Sequence, residues 1–463
     1  MSEPERRSRA IQFGRTDVTQ CDEATHRSRP VKRCYGAAPN RSLALFGLRC
    51  SALDLAIVTH RHLRRIEERT EVNTIKKRSL IGVISAACGS LLVVSLMGVS
   101  AASGTTATAV SARGSRLTHC HPAQLAGSGG FLGAFTTVCQ VASTVRPKGD
   151  VNPYGIAVVP TTIGDLTTGN VLISNFNNGK NLQGTGTTIM QITPTGVVSV
   201  FANLATQTSD HLGLTTALAV FGDGYVVVGS LPTIDGTAKT ATAGALYVLN
   251  SHGKLVETIN GGDINGPWDM TSYDGGAFGV LFITNVLNGT VAGGGAKVHR
   301  GNVVRLVLDL TTSPPTVLQR VIIASGFAEK TDPTALVIGP TGLALGPNGT
   351  IYVADALGNR IMAIRDGLFR YTSAGTGTKV SSGGFLNGPL GLALAPNGDL
   401  LSANAGNGQI VESTLTGTQL QWPSVDKSGS PPGAGALFGL AIQPGGKGLY
   451  FVDDATNTLD IFK

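Results

Sequence analysis

From residue 130 to residue 463 the apolar positions fall into short runs broken by Gly, Pro, Asn and Asp, with no sustained helical period. Six runs are alike: VLISNF (171–176), YVVVGS (225–230), VLFITN (280–285), IYVADA (351–356), LLSANA (400–405) and LYFVDD (449–454). Their starts lie 54, 55, 71, 49 and 49 residues apart. Each follows another apolar run, in order GIAVVP, ALAVF, WDMTSY, GLALGP, GLALAP and GLAIQP. The turns between the two are clearest at GPNG (346–349), APNG (395–398) and QPGG (443–446), where Pro and Gly suit a tight hairpin. A third run follows in every unit, and a fourth is visible in several, such as VVSVFANL and TVLQRVIIASG.

Self-similarity at this period marks a repeat architecture. Each unit is a meander of four strands, and the near-continuous apolar runs suit strands buried on both faces. Six such sheets arranged radially make a six-bladed β-propeller of four-stranded antiparallel blades, an all-β fold expected over residues 131–463. The sixth unit has only three strands before the chain ends, while AFTTVCQVA (134–142) precedes unit one without a unit of its own. That run is expected to supply the missing strand and close the ring. The long spacing in unit three holds two insertions, LNGTVAGGGAKVHRG (287–301) and FAEKTDPTALV (327–337), which read as surface loops.

Composition agrees: 62 glycines, 14% charged residues and 5% aromatics describe a turn-rich β chain. The formal charge of +7 is uneven. Residues 1–102 carry 17 Lys and Arg against 9 Asp and Glu, and residues 103–463 carry 19 against 20. The basic excess therefore lies outside the repeats and gives no reason to expect a nucleic-acid partner. Lys76, Lys77 and Arg78 followed by the uncharged run from Leu80 to Val99 and small residues at 99–102 have the order of a secretory signal peptide. The reading divides the chain into a disordered basic extension (1–71), a signal peptide or membrane anchor forming an apolar helix (72–102), a linker (103–130) and the propeller. The long segment ahead of the signal suggests a translation start near Val72. The protein is expected to be secreted or periplasmic, with membrane contact only if 80–99 stays uncleaved. Cys120 and Cys139, the two cysteines beyond the signal, read as one disulfide.

The stretch GPNGTIYVADALGNRI resembles the NHL repeat, matching it at Gly349, Ile351, Tyr352, Val353, Asp355, Asn359, Arg360 and Ile361. Other units depart from it, with Asn175, Gly229, Asn285 and Asn404 at the Asp355 position. The resemblance implies an exported NHL-like propeller, a fold that serves both binding scaffolds and enzymes. Lactonase-type relatives use an acidic residue, an Asn and an Asp as metal ligands, but no Glu occupies an entry loop here. Amidating-lyase relatives use several channel His, and only His211 is available.

In this fold the loops entering each first strand share a face with those joining the second and third strands. These loops carry Tyr154, Asp210, His211, Trp268, Asp269 and Phe438, with Asn175, Asn177, Asn285 and Asp454 on the second set. His211 with Asp210 and Asp269 is the grouping available for acid–base chemistry or for a divalent metal, with His211 and Asp269 as its ligands; turn-capping is the alternative for both acids. Tyr154 and Trp268 suit either a ligand floor or packing between blades. THCHP (118–122) offers His119, Cys120 and His121 to a metal unless Cys120 is oxidised. There is no GxSxG motif. The recurrence of Asp355 argues for a structural role in its loop. The expected function is a monomeric scaffold binding a small-molecule or protein ligand through its channel face, ahead of a metal-dependent lyase or lactone hydrolase. Sequencing the amino terminus of the native protein is expected to place it near residue 102, and recovery of peptides from residues 1–60 would contradict the late start.

Overall fold

The computed structural model describes residues 117–463, and the segments 1–71 and 72–102 lie outside the described residues. Two strands come first, β1 (Thr118–Pro122) and β2 (Thr137–Ser143). Blade 1 is β3 (Val151–Val158), β4 (Val171–Asn177), β5 (Thr188–Ile192) and β6 (Val198–Asn203). Blade 2 is β7 (Leu214–Val220), β8 (Val226–Ser230), β9 (Ala245–Leu249) and β10 (Leu255–Asn260). Blade 3 is β11 (Pro267–Asp274), β12 (Phe278–Asn285), β13 (Val298–Asp309), β14 (Thr316–Asp332) and β15 (Leu336–Ile338). Blade 4 is β16 (Pro340–Leu345), β17 (Ile351–Asp355), β18 (Arg360–Ile364) and β19 (Thr378–Ser382). Blade 5 is β20 (Pro389–Leu394), β21 (Leu400–Asn404), β22 (Ile410–Ser413) and β23 (Gln419–Gln421). Blade 6 is β24 (Leu437–Ile442), β25 (Leu449–Asp453) and β26 (Thr458–Phe462), completed by β2 and β1.

The fold is thus an all-β six-bladed propeller with antiparallel blades. Second strands are sandwiched between neighbouring blades, and every residue of β4, β8, β17, β21 and β25 is buried. Outer strands such as β6, β10 and β19 are half exposed. The core follows the same logic. Among the described residues it forms six apolar clusters: five lie in seams between adjacent blades, and the sixth fills the seam of blades 6 and 1 and extends to Leu231, Trp268 and Val286 of blades 2 and 3. The turns between first and second strands hold Gly349 and Gly398 at φ 70° and 89°, the left-handed region that glycine enters without a Cβ clash.

The ring closes as the strand count requires. β2 pairs antiparallel with β26, Cys139 opposite Ile461, joining the two ends of the repeat region. Two blades exceed the expected four strands. In blade 6, β1 adds a fifth strand inside the stretch read as a linker, and Cys120 stands opposite Cys139 and is disulfide-bonded to it. In blade 3 the second insertion is no free loop: β14 runs on to Asp332 and turns back into β15. Its alternation turns Phe327 and Glu329 inward, both fully buried. The segment between β1 and β2 is anchored on blade 5 by the buried Glu412, whose carboxylate accepts from Phe131 N (2.6 Å), Leu132 N (2.8 Å) and Asn397 Nδ2 (3.0 Å).

The polar residues of the repeat work between blades as well as within them. Asp355 accepts from Gly358 N (3.1 Å) and Arg360 Nε (2.7 Å), fixing its own loop. Asn359, at φ 46°, accepts from Gly388 N (2.9 Å) and donates to Leu386 O (2.9 Å), stapling blade 4 to the entry of blade 5. Asn457, at φ 56°, accepts from Asn152 N (2.8 Å) and does the same between blades 6 and 1. Removing the disulfide as Cys120→Ala with Cys139→Ala frees a loop of 19 residues and is expected to lower stability by about 3 kcal/mol, read by urea denaturation. Deleting 131–143 is expected to lower the melting temperature far more, and an unchanged curve would contradict closure through β2.

Candidate functional site

Six inner strands surround the axis: β3, β7, β11, β16, β20 and β24. Four share a position at which their backbones nearly touch the neighbouring blade. A Cβ placed at Gly342 would lie 2.1 Å from Leu390 O, one at Gly391 2.0 Å from Phe438 O, one at Gly439 2.7 Å from Tyr154 O, and one at Gly155 2.9 Å from Thr215 O. Only glycine fits there. Blade 3 breaks the rule with Asp269, next to Met270, which takes the register of Leu343 and Leu392. The side chain turns to the seam with blade 4, where Oδ2 accepts from Leu343 N (3.1 Å) and Oδ1 from Met270 N (2.8 Å). Its own N–H faces Thr284 Oγ1 at 3.0 Å, and that hydroxyl bridges to Thr341 O at 3.0 Å.

The inner strands also enclose a central well of about 410 Å³. It is lined by the middle and C-terminal parts of all six, including Ile156, Thr216, Ser272, Leu345, Leu394 and Leu440. Among the described lining residues Asp269 is the only ionisable one. Burial pushes its carboxyl up to about 8, against the opposing pull of the Met270 and Leu343 N–H groups.

The other end of the channel is filled. Tyr154 stacks on Phe438 (3.8 Å between ring centres) and on Phe176 (4.6 Å), and Trp268 meets both Tyr154 (6.0 Å) and Phe176 (5.7 Å) edge-on. All four rings are buried. They close the axis on the side of the entry loops, so the well opens on the face of the turns between first and second strands. The aromatic residues expected at the mouth therefore pack against one another. Burial drives the Tyr154 hydroxyl well above its ordinary range, reinforced by the nearby Asp454 carboxylate and opposed by a hydrogen bond to Asn152.

The remaining candidates are dispersed. His211 is exposed in the loop before β7. Asp210 beside it accepts from Tyr247 OH (3.1 Å) and donates its N–H to Thr208 Oγ1 (3.1 Å), a local structural pairing. No hydrogen bond or ion pair joins His211 to Asp269, and among the described residues no three His, Cys, Asp or Glu side chains are grouped to hold a metal. Cys120 is in the disulfide, and His121 is exposed with Nδ1 3.4 Å from Pro122 O. Asn285 is fully buried and holds the entry loop of blade 3, its Oδ1 accepting from Asn265 N (3.3 Å) and Gly266 N (3.4 Å). Asn175 is buried in the seam of blades 1 and 6 and donates to Thr188 Oγ1 (3.2 Å). Sequence reasoning singled out Asp269 but passed over the polar well residues Thr271 and Ser272. The signal was present: WDMTSY is polar where the other inner runs read GLALGP or GLALAP.

No family model matches this chain, and no curated protein matches it. Among solved structures it is similar to a gluconolactonase from Xanthomonas campestris, with 15% identity over 75% of this chain and 95% of that one and a TM-score of 0.45. A virginiamycin B lyase from Staphylococcus aureus has 13% identity over 70% of this chain and 98% of its own, with a TM-score of 0.41. The PQQ-bound aldose sugar dehydrogenase of Streptomyces coelicolor has 15% identity over 74% and 99%, with a TM-score of 0.45. Likeness this distant carries no statement about activity.

Because the folded-state pKa of Asp269 is raised, the native protein holds a proton there that the unfolded chain releases. Stability linked to this group is complete at pH values below about 4 and is lost as pH rises towards 8. Asp269→Asn leaves the N–H of either Leu343 or Met270 without an acceptor at every pH, so it is the variant's melting temperature relative to the native chain that is expected to rise, by several degrees, between pH 4 and pH 8.5. Equal shifts at both pH values would show that the carboxyl is not held protonated.

Proposed function

We propose that this protein is an exported, NHL-like binding propeller whose ligand enters the central well from the face of the turns between first and second strands. The observation that carries the reading is the well itself, whose exposed wall is mainly polar although many of its residues are apolar in type, and which bears one carboxyl, Asp269, at its inner end. Its volume falls within the roughly 300–1,000 Å³ usual for small-molecule sites. The ligand class that fits is a small polar molecule bearing hydroxyl or ammonium donors, matched to a wall whose exposed surface is mainly polar. One donor would meet Asp269, with Thr216, Thr271 and Ser272 offering further hydroxyl contacts.

Export is supported by the disulfide between β1 and β2, which suits an oxidising compartment, together with the signal-like order of residues 76–102. A metal-dependent lyase or lactone hydrolase would need several ligands converging on one point. His211 stands exposed on the entry-loop side, whereas the Asp269 carboxyl faces the well. That separation favours the binder.

The test is a thermal-shift screen of small cyclic amines and alcohols on the full chain, followed by calorimetric titration of any compound that stabilises it. Asp269→Asn, which removes the carboxyl group, and Ser272→Trp, which fills the well, are each expected to weaken binding at least tenfold. A compound that binds both variants with unchanged affinity would place the site elsewhere and contradict the reading.

A further inference from the structure

The turn joining the third strand to the fourth takes five or six residues in blades 1, 2, 3 and 5 but thirteen (365–377) in blade 4. Its length is not slack. Arg305 of blade 3, 1% exposed, reaches under it and donates through Nη1 to Gly367 O and Leu368 O, with Nη2 on Gln319 Oε1 of its own blade. The guanidinium lies 5.3 Å from the ring centre of Tyr371. Further along, Ala374 N donates to Ile323 O and Ser325 N to Gly375 O, each at 2.9 Å, lacing the loop to β14 of blade 3. At its start, Phe369 N donates to Asp366 O (3.0 Å) and Arg370 Nε to Arg365 O (3.0 Å). Leu368 packs beside Gly349 in the turn between β16 and β17, which places the loop on the face where the well opens.

What this framework holds out is aromatic. Phe369 is 65% exposed, the most of any large apolar side chain among the described residues, and Tyr371 is 57% exposed. Leu318, next in the chain to Gln319, adds a side chain 62% exposed on the neighbouring blade. The charge around the rings is one-sided. Between residues 365 and 379, Arg365, Arg370 and Lys379 stand against Asp366 alone, and Arg305 lies beneath Tyr371. Arg365 and Lys379 are exposed, and among the described residues no ion pair involves any of these four cations. Rings held in water gain free energy when something covers them, and a loop already pinned loses little freedom when that happens. The surrounding cations select a cover that is negatively charged.

We propose that the tip of this loop, Phe369 and Tyr371 with Arg365, Arg370 and Lys379 around them, docks the propeller on an anionic lipid surface. Projecting rings enter a headgroup layer that yields to them, and aromatic side chains settle at that level of a bilayer. The long stems of arginine and lysine lie along apolar neighbours while their charged ends reach the phosphates. Each cation near an anionic leaflet strengthens attachment about fivefold. Two rings and three cations therefore make a reversible contact rather than an anchor. The contact is separate from residues 80–99 and holds whether or not that segment is cleaved. It does not depend on the ligand proposed for the well.

The experiment places a reporter in the patch, so that any lipid contact by residues 80–99 does not enter the reading. The full chain carrying Phe369→Trp is titrated with phosphatidylcholine vesicles with and without phosphatidylglycerol, and the emission of the native chain is subtracted. With phosphatidylglycerol present, the added emission is expected to shift to the blue and to be quenched by brominated lipid. Phosphatidylcholine alone is expected to give little change, and high salt to reverse the shift. Arg365→Glu with Lys379→Glu, both at exposed positions, is expected to raise the lipid needed for half the shift at least tenfold. Emission that stays water-like on phosphatidylglycerol vesicles overturns the proposal. An equal response to both vesicle types, or one indifferent to the charge reversals, overturns it as well. Emission already blue without lipid, in a protein that sediments as a dimer, would mean that a second copy covers the rings, and the lipid assignment would fall.

Discussion

Six strands can stand around one axis only if their backbones come almost into contact, and the rest of this structure follows from how the chain meets that demand. Glycine at one shared place in the inner strands of blades 1, 4, 5 and 6 (Gly155, Gly342, Gly391 and Gly439) removes the Cβ that would collide with the next blade. The seams can then close, and each fills with the apolar side chains of the sandwiched second strands. Blade 2 meets the same demand with hydroxyls: Thr215 and Thr216 donate to Pro267 O and Trp268 O of blade 3. Asp269 is the exception that gives the channel its chemistry. A carboxyl in a glycine position has nowhere to go but the seam and the well, where burial leaves it short of solvent and two backbone N–H groups hold it in place.

A ring also needs its first and last blades joined, and this is where polar chemistry concentrates. β2 and β1 add the outer strands of blade 6, the disulfide locks them to each other, and Glu412 grips the chain on its way past blade 5. Asn457 staples blade 6 to blade 1, as Asn359 staples blade 4 to blade 5. The asparagine of the repeat thus has a mechanical role, which its left-handed backbone makes possible by turning the side chain out of its own blade.

The fold was legible because its signals are local and repeated. Runs buried on both faces, turns needing glycine and a period near 50 residues all survive in the sequence, and even ring closure followed from counting strands. The fifth strands were not legible. β1 reads THCHP and lies at a sheet edge, burying too little to show an apolar alternation, while β15 is three residues long. The site was half legible. Asp269 and Trp268 could be picked out as breaks in a repeated pattern, but the pattern does not say which end of the channel is open. Tyr154, Trp268 and Phe438 fall at the same place in their inner strands, directly before the glycine position, and side chains from that place in a ring converge on the axis. His211 lacked any such constraint, and the structure leaves it exposed.

The central claim is that the channel is sealed on its entry-loop side by the packed rings of Tyr154, Phe176, Trp268 and Phe438 and is accessible only from the opposite face. The sequence contains two tryptophans, and the other, Trp422, is half-buried against Phe385 in blade 5. Fluorescence of Trp268 alone, in the Trp422→Phe protein, reports directly on the seal. The account predicts blue-shifted emission and strong protection from acrylamide and iodide until the protein unfolds. Emission near that of tryptophan in water, quenched freely in the folded state, would mean that the rings are solvated and the channel open at that end, contradicting the account.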